Sequence, residues 1–276
     1  MNRPVRLGAV DYLNVRPLVH GLEVREDLEG NVPMFSLRFD PPSVCARLLH
    51  EGGIDLGMIP TIAYQHCEGY RVVPGVAIGS DGPVASVALF TKVPLRKITR
   101  VAADSSSNTS VALLRVLSAE RFHISPELVP AAPDLAAMTA QADAALLIGD
   151  PALFAGHAAM GLEKIDLGEA WTAMTGLPFI WAFWAGREGA VDAAGVARLQ
   201  QARRDGEADS DAIAEAYAAA WSARTGTPAD PALAVRYLRD NIKYDLGERD
   251  VAAVERFHAS ARALGIVTRA EPLRFF

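Results

Sequence analysis

Residues 102–114 read AADSSSNTSVALL, a short apolar run followed by hydroxyl and amide side chains and then by apolar residues at helical spacing. This pattern predicts a strand, a turn and the N-terminus of a helix. One helix cap uses only one or two of these side chains, so the surplus indicates a ligand. Free backbone N–H groups and the positive end of the helix dipole favour a carboxylate or a phosphate there. The stretch by itself leaves open a solvated cap followed by a polar loop.

Length and charge narrow the class of protein. At 276 residues the chain exceeds the size at which single cores begin to divide, which predicts two lobes. Half of the residues are hydrophobic and 22% are charged, as in ordinary globular proteins. The formal net charge of −6 argues against a nucleic-acid partner, because that affinity comes from clustered Lys and Arg. An anionic ligand would therefore need local hydrogen-bond donors.

Three features predict a cytoplasmic protein with no membrane partner. Residues 1–10 contain a proline and two arginines, and Asp11 follows, so no signal-peptide apolar core is expected there. The densest apolar run, 179–185, is far shorter than the roughly 20 residues that span a membrane. The two cysteines, Cys45 and Cys67, form no disulfide framework and suit a reducing compartment.

The first strand leads to a candidate functional residue. Residues 5–10 form a β-like run that precedes Asn14. Pro17 biases Arg16 away from helix and suits a first helical position, so a short helix is predicted from Pro17 to about Gly21. Asn14 would then lie at the carboxyl end of a strand, where open α/β sheets bind ligands. The alternative is an ordinary turn residue.

The rest of the chain alternates between strand and helix patterns, as in βαβ units. Strands are predicted at 34–39, 54–59, 72–78, 84–91, 99–103, near 128, at 144–148, 165–167 and 179–185. Helices are predicted at 43–51, 61–64, 108–119, 135–140 and 168–175, and almost without interruption from 191 onward.

Composition shifts beside two long strands predict where the lobes join. Residues 88–92 and 180–184 are expected to cross between lobes. Lobe 1 would then comprise 1–90 plus 183–276, with the C-terminal helices, and lobe 2 would comprise 91–182.

The remaining polar positions give little chemistry by themselves. Ser86 lies within an apolar alternation, where a hydroxyl either satisfies a neighbour or faces a polar cleft. His66 and Cys67 have no second ligand pair at a metal-like spacing, so no metal is predicted. Phosphate-binding glycine loops and the common hydrolase and metalloprotease motifs are missing, so no cofactor is predicted.

Seven short segments nevertheless follow one another in a specific order. They are YLN with PL (12–14 and 17–18), DLGMIP (55–60), SV (86–87), Asp104 with NTS (108–110), LIGD (147–150), DLG with Trp171 (166–168), and TGLPF (175–179). Together they resemble the chorismate dehydratase family of the futalosine route to menaquinone. The likeness covers roughly the first 185 residues and extends more diffusely through 242–244.

This resemblance implies an α/β, two-lobed, type II periplasmic-binding-protein-like fold with a ligand cleft between the lobes. The implied reaction is loss of water from chorismate, giving 3-[(1-carboxyvinyl)oxy]benzoate without a metal or an organic cofactor. Asn14 would be the catalytic residue, either hydrogen-bonded to the reacting centre or positioning a proton relay, because an amide is too weak to be a strong base. A substrate carboxylate is then a candidate base. The implied substrate-binding residues are Tyr12, Ser86, Ser107, Asn108, Thr109, Ser110, Gly149 and Asp150.

Two alternatives share the implied fold. One is a non-catalytic protein that binds a small anion, since fold alone does not give function. The other is the 1,4-dihydroxy-6-naphthoate synthase of the same pathway, whose Ser-Pro-Cys-Pro-Asn-like start is replaced here by DYLN at 11–14. This departure favours the dehydratase. No feature of the sequence indicates an oligomeric state.

Overall fold

The computed structural model describes residues 3–22, 33–104 and 106–276, and these residues form ten β-strands in two five-stranded sheets. The strands are β1 Val5–Ala9, β2 Phe35–Phe39, β3 Leu56–Pro60, β4 Tyr70–Ser80, β5 Val87–Thr91, β6 Arg100–Asp104, β7 Glu127–Ala131, β8 Ala144–Ile148, β9 Glu163–Asp166 and β10 Phe179–Arg187.

Helices connect and cover these strands. The α-helices are α1 Pro42–Glu51, α2 Asn108–Leu117, α3 Leu135–Gln141, α4 Gly149–Leu153, α5 Leu167–Thr175, α6 Ala193–Ala208, α7 Ser210–Thr225, α8 Pro231–Arg236 and α9 Glu248–Ala263. Short 3₁₀ segments occur at Leu13–Val19, Thr61–His66, Leu95–Lys97 and His157–Met160, and π-helical turns occur at Ser118–Phe122 and Tyr237–Asn241.

The two sheets have the same plan. The first has the order β2-β1-β3-β10-β4, and the second has the order β7-β6-β8-β5-β9. In each sheet three neighbouring strands are parallel, and the fourth, β10 or β5, is antiparallel to the third. In chain order, β10 comes after all the strands of the second sheet, and β5 comes after the first four strands of the first sheet. Because parallel strands end at one edge of a sheet, β1, β3, β6 and β8 bring their following loops together.

The chain passes between the sheets twice. β4 ends at Ser80 in the first sheet and β5 begins at Val87 in the second, and the return lies in 167–178. The predicted crossover ranges, 88–92 and 180–184, instead lie largely within β5 and β10. The lobe boundaries that the sequence suggested stay a prediction.

β5 begins at Val87, whereas the sequence pattern predicts a strand from residue 84, and the backbone of Ala85 explains the difference. Ala85 adopts a left-handed backbone with φ of 62°, which a strand does not tolerate. The N–H groups of Val84 and Ala85 both donate to the carboxylate of Asp166, at 3.0 and 2.7 Å. The alternating pattern of 84–91 therefore contains a turn that a distant carboxylate stabilises.

The C-terminal helices join the two halves of the core. Phe257 of α9 packs edge-on against Phe179 of β10, with ring centroids 4.9 Å apart. Phe179 in turn packs against Trp171 of α5, with centroids 5.3 Å apart. All three rings are fully buried, so α9 is held against elements on both sides of the crossover.

Candidate active site

A cavity lies at the carboxyl ends of β1, β3, β6 and β8, and elements of both sheets line it. The space that it encloses, including the part open to solvent, is about 590 Å³. The lining residues are Val10, Tyr12, Asn14, Val15, Pro42, Met58, Pro60, Ile78, Val84, Ser86, Val87, Ser107, Thr109, Ser110, Ile148, Gly149, Trp181 and Ala182.

Seven of the residues that the sequence suggested line this one cavity, from four separate loops and strands. They are Tyr12, Asn14, Ser86, Ser107, Thr109, Ser110 and Gly149. Asn108 lies outside it and lines two neighbouring surface pockets instead. Asp150 is buried behind the cavity wall, and Ser105 lies outside the described residues. Their roles in binding or catalysis stay predictions.

Asn14 presents an unused acceptor. It lies in the 3₁₀ segment after β1, and its backbone carbonyl accepts a hydrogen bond of 2.9 Å from the Tyr244 hydroxyl. Its side-chain Oδ1 is buried and has no hydrogen-bond partner in the described part of the chain. A buried acceptor without a partner is costly, so this oxygen is suited to a hydrogen bond from a ligand.

Asp150 holds the loop that carries Asn14. It is 1% exposed, and its carboxylate accepts hydrogen bonds from the Leu13 N–H at 3.1 Å and from the Tyr217 hydroxyl at 2.6 Å. Burial raises the pKa of Asp150 to about 6, although both hydrogen bonds oppose the shift. Leu13 follows β1 of the first sheet, and Asp150 follows β8 of the second sheet. The Asp150 carboxylate therefore links the two sheets beside the cavity.

Gly149 allows Tyr12 to approach the backbone. Gly149 has φ of +61°, and a Cβ there would lie 2.7 Å from the Tyr12 ring. Tyr12 is largely buried, and burial, followed by the negative charge of Asp104, raises its pKa to about 12. The Tyr12 hydroxyl is therefore protonated at neutral pH and can donate a hydrogen bond.

The N-terminus of α2 lies at the cavity, as the hydroxyl-rich stretch predicted. Ser107 caps the helix, with its Oγ accepting from the Ser110 N–H at 3.3 Å. Thr109 Oγ1 accepts from the Ile62 N–H at 3.1 Å, which ties α2 to the segment after β3. Within the residues described, the N–H groups of Asn108 and Thr109 have no acceptor, as expected for a first helical turn.

The C-terminal region supplies residues that sequence reasoning did not identify. The Tyr237 hydroxyl lies 2.7 Å from Ser86 Oγ, and Tyr217 bonds to Asp150 as described above. Trp181 lines the cavity and donates from Nε1 to Ser80 Oγ at 3.1 Å. Periodicity assigns Tyr217 only to an apolar helix stripe, because it does not show where a hydroxyl points.

The cavity lining is neutral. None of the lining residues in the described chain is Asp, Glu, His, Lys or Arg, and Tyr12 is the one titratable side chain among them. The described residues also contain no group of three or more His, Cys, Asp or Glu side chains placed to hold a metal ion. Hydroxyls, amides and a helix terminus must therefore supply the polar contacts to a ligand.

In the part of the chain that the structure describes, none of the helices combines the length and the apolar character that crossing a bilayer requires.

Known proteins resemble this chain in fold over nearly its whole length. Protein AF1704 from Archaeoglobus fulgidus has a TM-score of 0.74 at 18% identity, covering 96% of this chain and 98% of that one. The periplasmic aliphatic sulphonate binding protein SsuA from Escherichia coli has a TM-score of 0.68 at 17% identity, covering 100% and 94%. The alkanesulfonate-binding protein SsuA from Xanthomonas axonopodis pv. citri, bound to MOPS, has a TM-score of 0.70 at 19% identity, covering 99% and 98%. These likenesses confirm the periplasmic-binding-protein-like α/β fold.

Sequence comparison identifies the family. A chorismate dehydratase from Thermus thermophilus is 34% identical to the chain, over 96% of each. The family model described as menaquinone biosynthesis matches residues 5–263. The chain therefore belongs to the menaquinone biosynthesis family.

Proposed function

We propose that this protein is a chorismate dehydratase, which removes water from chorismate to give 3-[(1-carboxyvinyl)oxy]benzoate. The observation that carries the proposal is the 34% identity with the Thermus thermophilus chorismate dehydratase over 96% of both chains. The cavity supports it, because seven residues implied by the sequence resemblance line one space between elements of both sheets.

Chorismate carries two carboxylates, and the cavity can bind an anion without a cationic side chain. The N–H groups of Asn108 and Thr109, which have no acceptor among the described residues, and the positive end of the α2 dipole lie beside the hydroxyls of Ser107, Thr109 and Ser110. We assign one substrate carboxylate to this helix terminus. Thr109 and Ser110 are each 3% exposed, so water competes little with a bound carboxylate.

The reaction removes a proton from the ring carbon that bears the enolpyruvyl ether and breaks the C–O bond of the neighbouring ring hydroxyl. The departing oxygen takes up a proton and leaves as water, and the ring becomes aromatic. The lining offers no side chain with a pKa near neutrality, because its one titratable group, Tyr12, has its pKa raised to about 12 by burial. We therefore assign the base to a carboxylate of the substrate, and to Asn14 a hydrogen bond at the reacting centre.

Positioning supplies much of the rate in such a site. A well-oriented intramolecular proton transfer can gain roughly 7–11 kcal/mol over its bimolecular counterpart, so a potent protein base is not required. The described structure fits this role, because Asn14 is held through its own carbonyl by Tyr244 and through the preceding N–H of Leu13 by Asp150.

We further propose that the protein acts in the cytoplasm, on the futalosine route to menaquinone. The family match supports a role in menaquinone biosynthesis, and the futalosine route is the finer part of the proposal. The free thiols of Cys45 and Cys67 are compatible with a reducing compartment.

The test is incubation of the purified protein, after dialysis against a chelator, with chorismate. The product is followed by ultraviolet absorbance and mass spectrometry, and a mass loss of one water with appearance of an aromatic product is expected. The control for contaminating activity is Asn14→Ala protein that is purified in the same way and shown to be folded by a melting temperature close to that of the wild type. Chorismate that binds but is recovered unchanged would instead indicate the non-catalytic anion-binding alternative, and chorismate that neither binds nor reacts would refute both.

A further inference from the structure

His258 is a buried histidine whose two ring nitrogens both meet partners inside the protein. It lies in α9 and is 1% exposed. Its Nδ1 lies 2.8 Å from Gln65 Nε2, and its Nε2 lies 3.1 Å from the backbone carbonyl oxygen of Thr61. His258 does not line the cavity, so the site described above gives it no role.

Backbone groups fix the orientation of the Gln65 amide. The Glu271 N–H donates to Gln65 Oε1 at 2.8 Å, and Gln65 Nε2 donates to the Glu271 carbonyl at 2.8 Å. A backbone N–H can only donate and a carbonyl can only accept, so these two bonds distinguish the amide oxygen from the amide nitrogen. The nitrogen is therefore the atom that faces His258, and Nδ1 accepts from it.

The partners of His258 also place its proton. Nδ1 accepts from an amide nitrogen, whereas Nε2 faces a carbonyl oxygen, which can only accept. Both contacts require the tautomer with its hydrogen on Nε2. Burial lowers the pKa of His258 to about 4, so the ring is neutral at physiological pH. His258 therefore donates from Nε2 to the Thr61 carbonyl.

The Thr61 carbonyl and the Ile62 N–H belong to one peptide group, which is hydrogen-bonded at both ends. The carbonyl accepts from His258, and the Ile62 N–H donates to Thr109 Oγ1 at 3.1 Å. Because the peptide group is planar, these two bonds together fix its orientation. The Thr61 hydroxyl anchors the same residue by donating to the Ile180 carbonyl of β10 at 2.6 Å.

This peptide group determines what the Thr109 hydroxyl can do. The Ile62 N–H occupies one acceptor position of Oγ1, and the hydroxyl hydrogen has no acceptor in the part of the chain that the structure describes. Thr109 lines the cavity and is 3% exposed. The hydrogen is therefore available to a ligand in the cavity.

We propose that His258 is a positioning residue for the substrate carboxylate, which acts through the peptide group of Thr61 and Ile62 on the Thr109 hydroxyl. The inference rests on the proposed function. The Thr109 hydroxyl donates to the carboxylate, and the N–H that it accepts from strengthens this donation by polarising the hydroxyl. Without the His258 donor the buried carbonyl loses its partner, and the peptide group turns to find another.

The first experiment compares His258→Phe with the wild type. The phenyl ring keeps the contacts with the Tyr64 and Phe257 rings but removes the Nε2 donor. The reaction product keeps both carboxylates, and we expect its dissociation constant in calorimetry to rise by about fivefold or more. The value of kcat at saturating chorismate should change by less than about threefold, because the lost contact is made equally in the ground state and the transition state. Unchanged product affinity in folded His258→Phe protein overturns the proposal.

The conservative variant is His258→Gln. Its amide nitrogen can take the place of Nε2 and donate to the Thr61 carbonyl, so the product should bind within about twofold of the wild-type affinity. Affinity as low as in His258→Phe would show that the donor is not what matters.

The matched control is Tyr64→Phe. The Tyr64 ring stacks on His258 with centroids 6.4 Å apart, and its hydroxyl accepts from the Arg274 N–H at 3.0 Å. Loss of this hydroxyl should lower the melting temperature and leave product affinity unchanged, because the peptide group of Thr61 and Ile62 keeps its bonds. An equal loss of affinity in Tyr64→Phe and His258→Phe would reduce the role of His258 to stability.

A double-mutant cycle tests whether His258 acts through Thr109. Thr109→Val keeps the shape of the side chain and removes the hydroxyl. Adding His258→Phe to Thr109→Val should weaken product binding little further, because the hydroxyl that His258 positions is already gone. Additive losses of affinity would contradict the proposal.

Crystal structures of the wild type and His258→Phe without ligand separate this inference from the proposed function. The distance from the Ile62 nitrogen to Thr109 Oγ1 is 3.1 Å and should exceed hydrogen-bond length in the variant, whatever the substrate. An unchanged distance overturns the positioning role. Failure of the wild type to convert chorismate would count against the proposed function alone.

Discussion

Replacing Asp150 by Asn should change the pH dependence of stability in a predictable direction. Burial raises the folded-state pKa of Asp150 from 3.8 to about 6. A carboxyl group with a raised folded-state pKa contributes stability that is fully present below the unfolded pKa and is lost as the pH rises through the folded pKa. The wild type therefore loses this contribution between about pH 4 and pH 6, whereas Asp150→Asn has no such titration.

The magnitude follows from the two pKa values. With 1.36 kcal/mol for each unit of pKa, the full shift corresponds to about 3 kcal/mol, of which about 2 kcal/mol changes between pH 4.5 and pH 7.5. The free energy of unfolding of Asp150→Asn, relative to the wild type, should thus rise by about 2 kcal/mol over that range. Asn keeps one acceptor for the Leu13 N–H, so the loop contact survives.

The assay is urea unfolding of both proteins at several pH values, read as the difference between them. The difference is needed because His258 titrates in the same range with the opposite sign. Burial lowers the pKa of His258 to about 4, so its contribution is present above pH 6.5 and is lost as the pH falls toward 4.

His258→Gln is the companion variant, and its stability relative to the wild type should rise on acidification. A difference between Asp150→Asn and the wild type that is constant with pH, or that falls as the pH rises, would refute the argument that this carboxylate is buried and unfavourably charged.

Three further predictions concern the cavity itself. Asn14→Ala should lower kcat by more than about tenfold, equivalent to about 1.4 kcal/mol, with chorismate affinity nearly intact, and a wild-type rate would end the catalytic assignment. Thr109→Ala combined with Ser110→Ala should weaken chorismate binding in calorimetry by a few kcal/mol at most, at about 1.5–3 kcal/mol for each charge-assisted hydrogen bond, and unchanged affinity would place the carboxylate elsewhere. Gly149→Ala should lower the melting temperature and the activity, because the new Cβ would lie 2.7 Å from the Tyr12 ring. The control is Gly226→Ala, which has φ of +71° and open space around it and therefore measures the backbone strain alone; equal effects of the two variants on activity would contradict the packing argument.

The sequence alone determined the local elements and the family. Apolar periodicity and turn residues predicted the strands and helices closely, with β8 found at the predicted 144–148. The hydroxyl-rich stretch was correctly predicted to start a helix, because capping depends on neighbours within a few residues. The ordered polar segments indicated the family, and the family match and the curated relative confirmed it.

Tertiary structure decided how those polar residues divide their roles. Asp150 and Gly149 are adjacent in sequence, yet Gly149 lines the cavity and Asp150 bonds to Leu13 and Tyr217 behind it. Their different surroundings arise from residues more than 60 positions away, so no local pattern carries them.

The same physical reason explains the crossovers and the missed tyrosine. Asp166 accepts from the Ala85 N–H in the turn before β5 from 81 residues away, and the chain crosses between the sheets in that turn, ahead of the predicted range. Tyr237 meets Ser86 across 151 residues of chain. Periodicity records which face of an element is apolar, but the partner of a buried polar atom depends on which distant segments the fold brings within about 3 Å, and only the folded chain decides that.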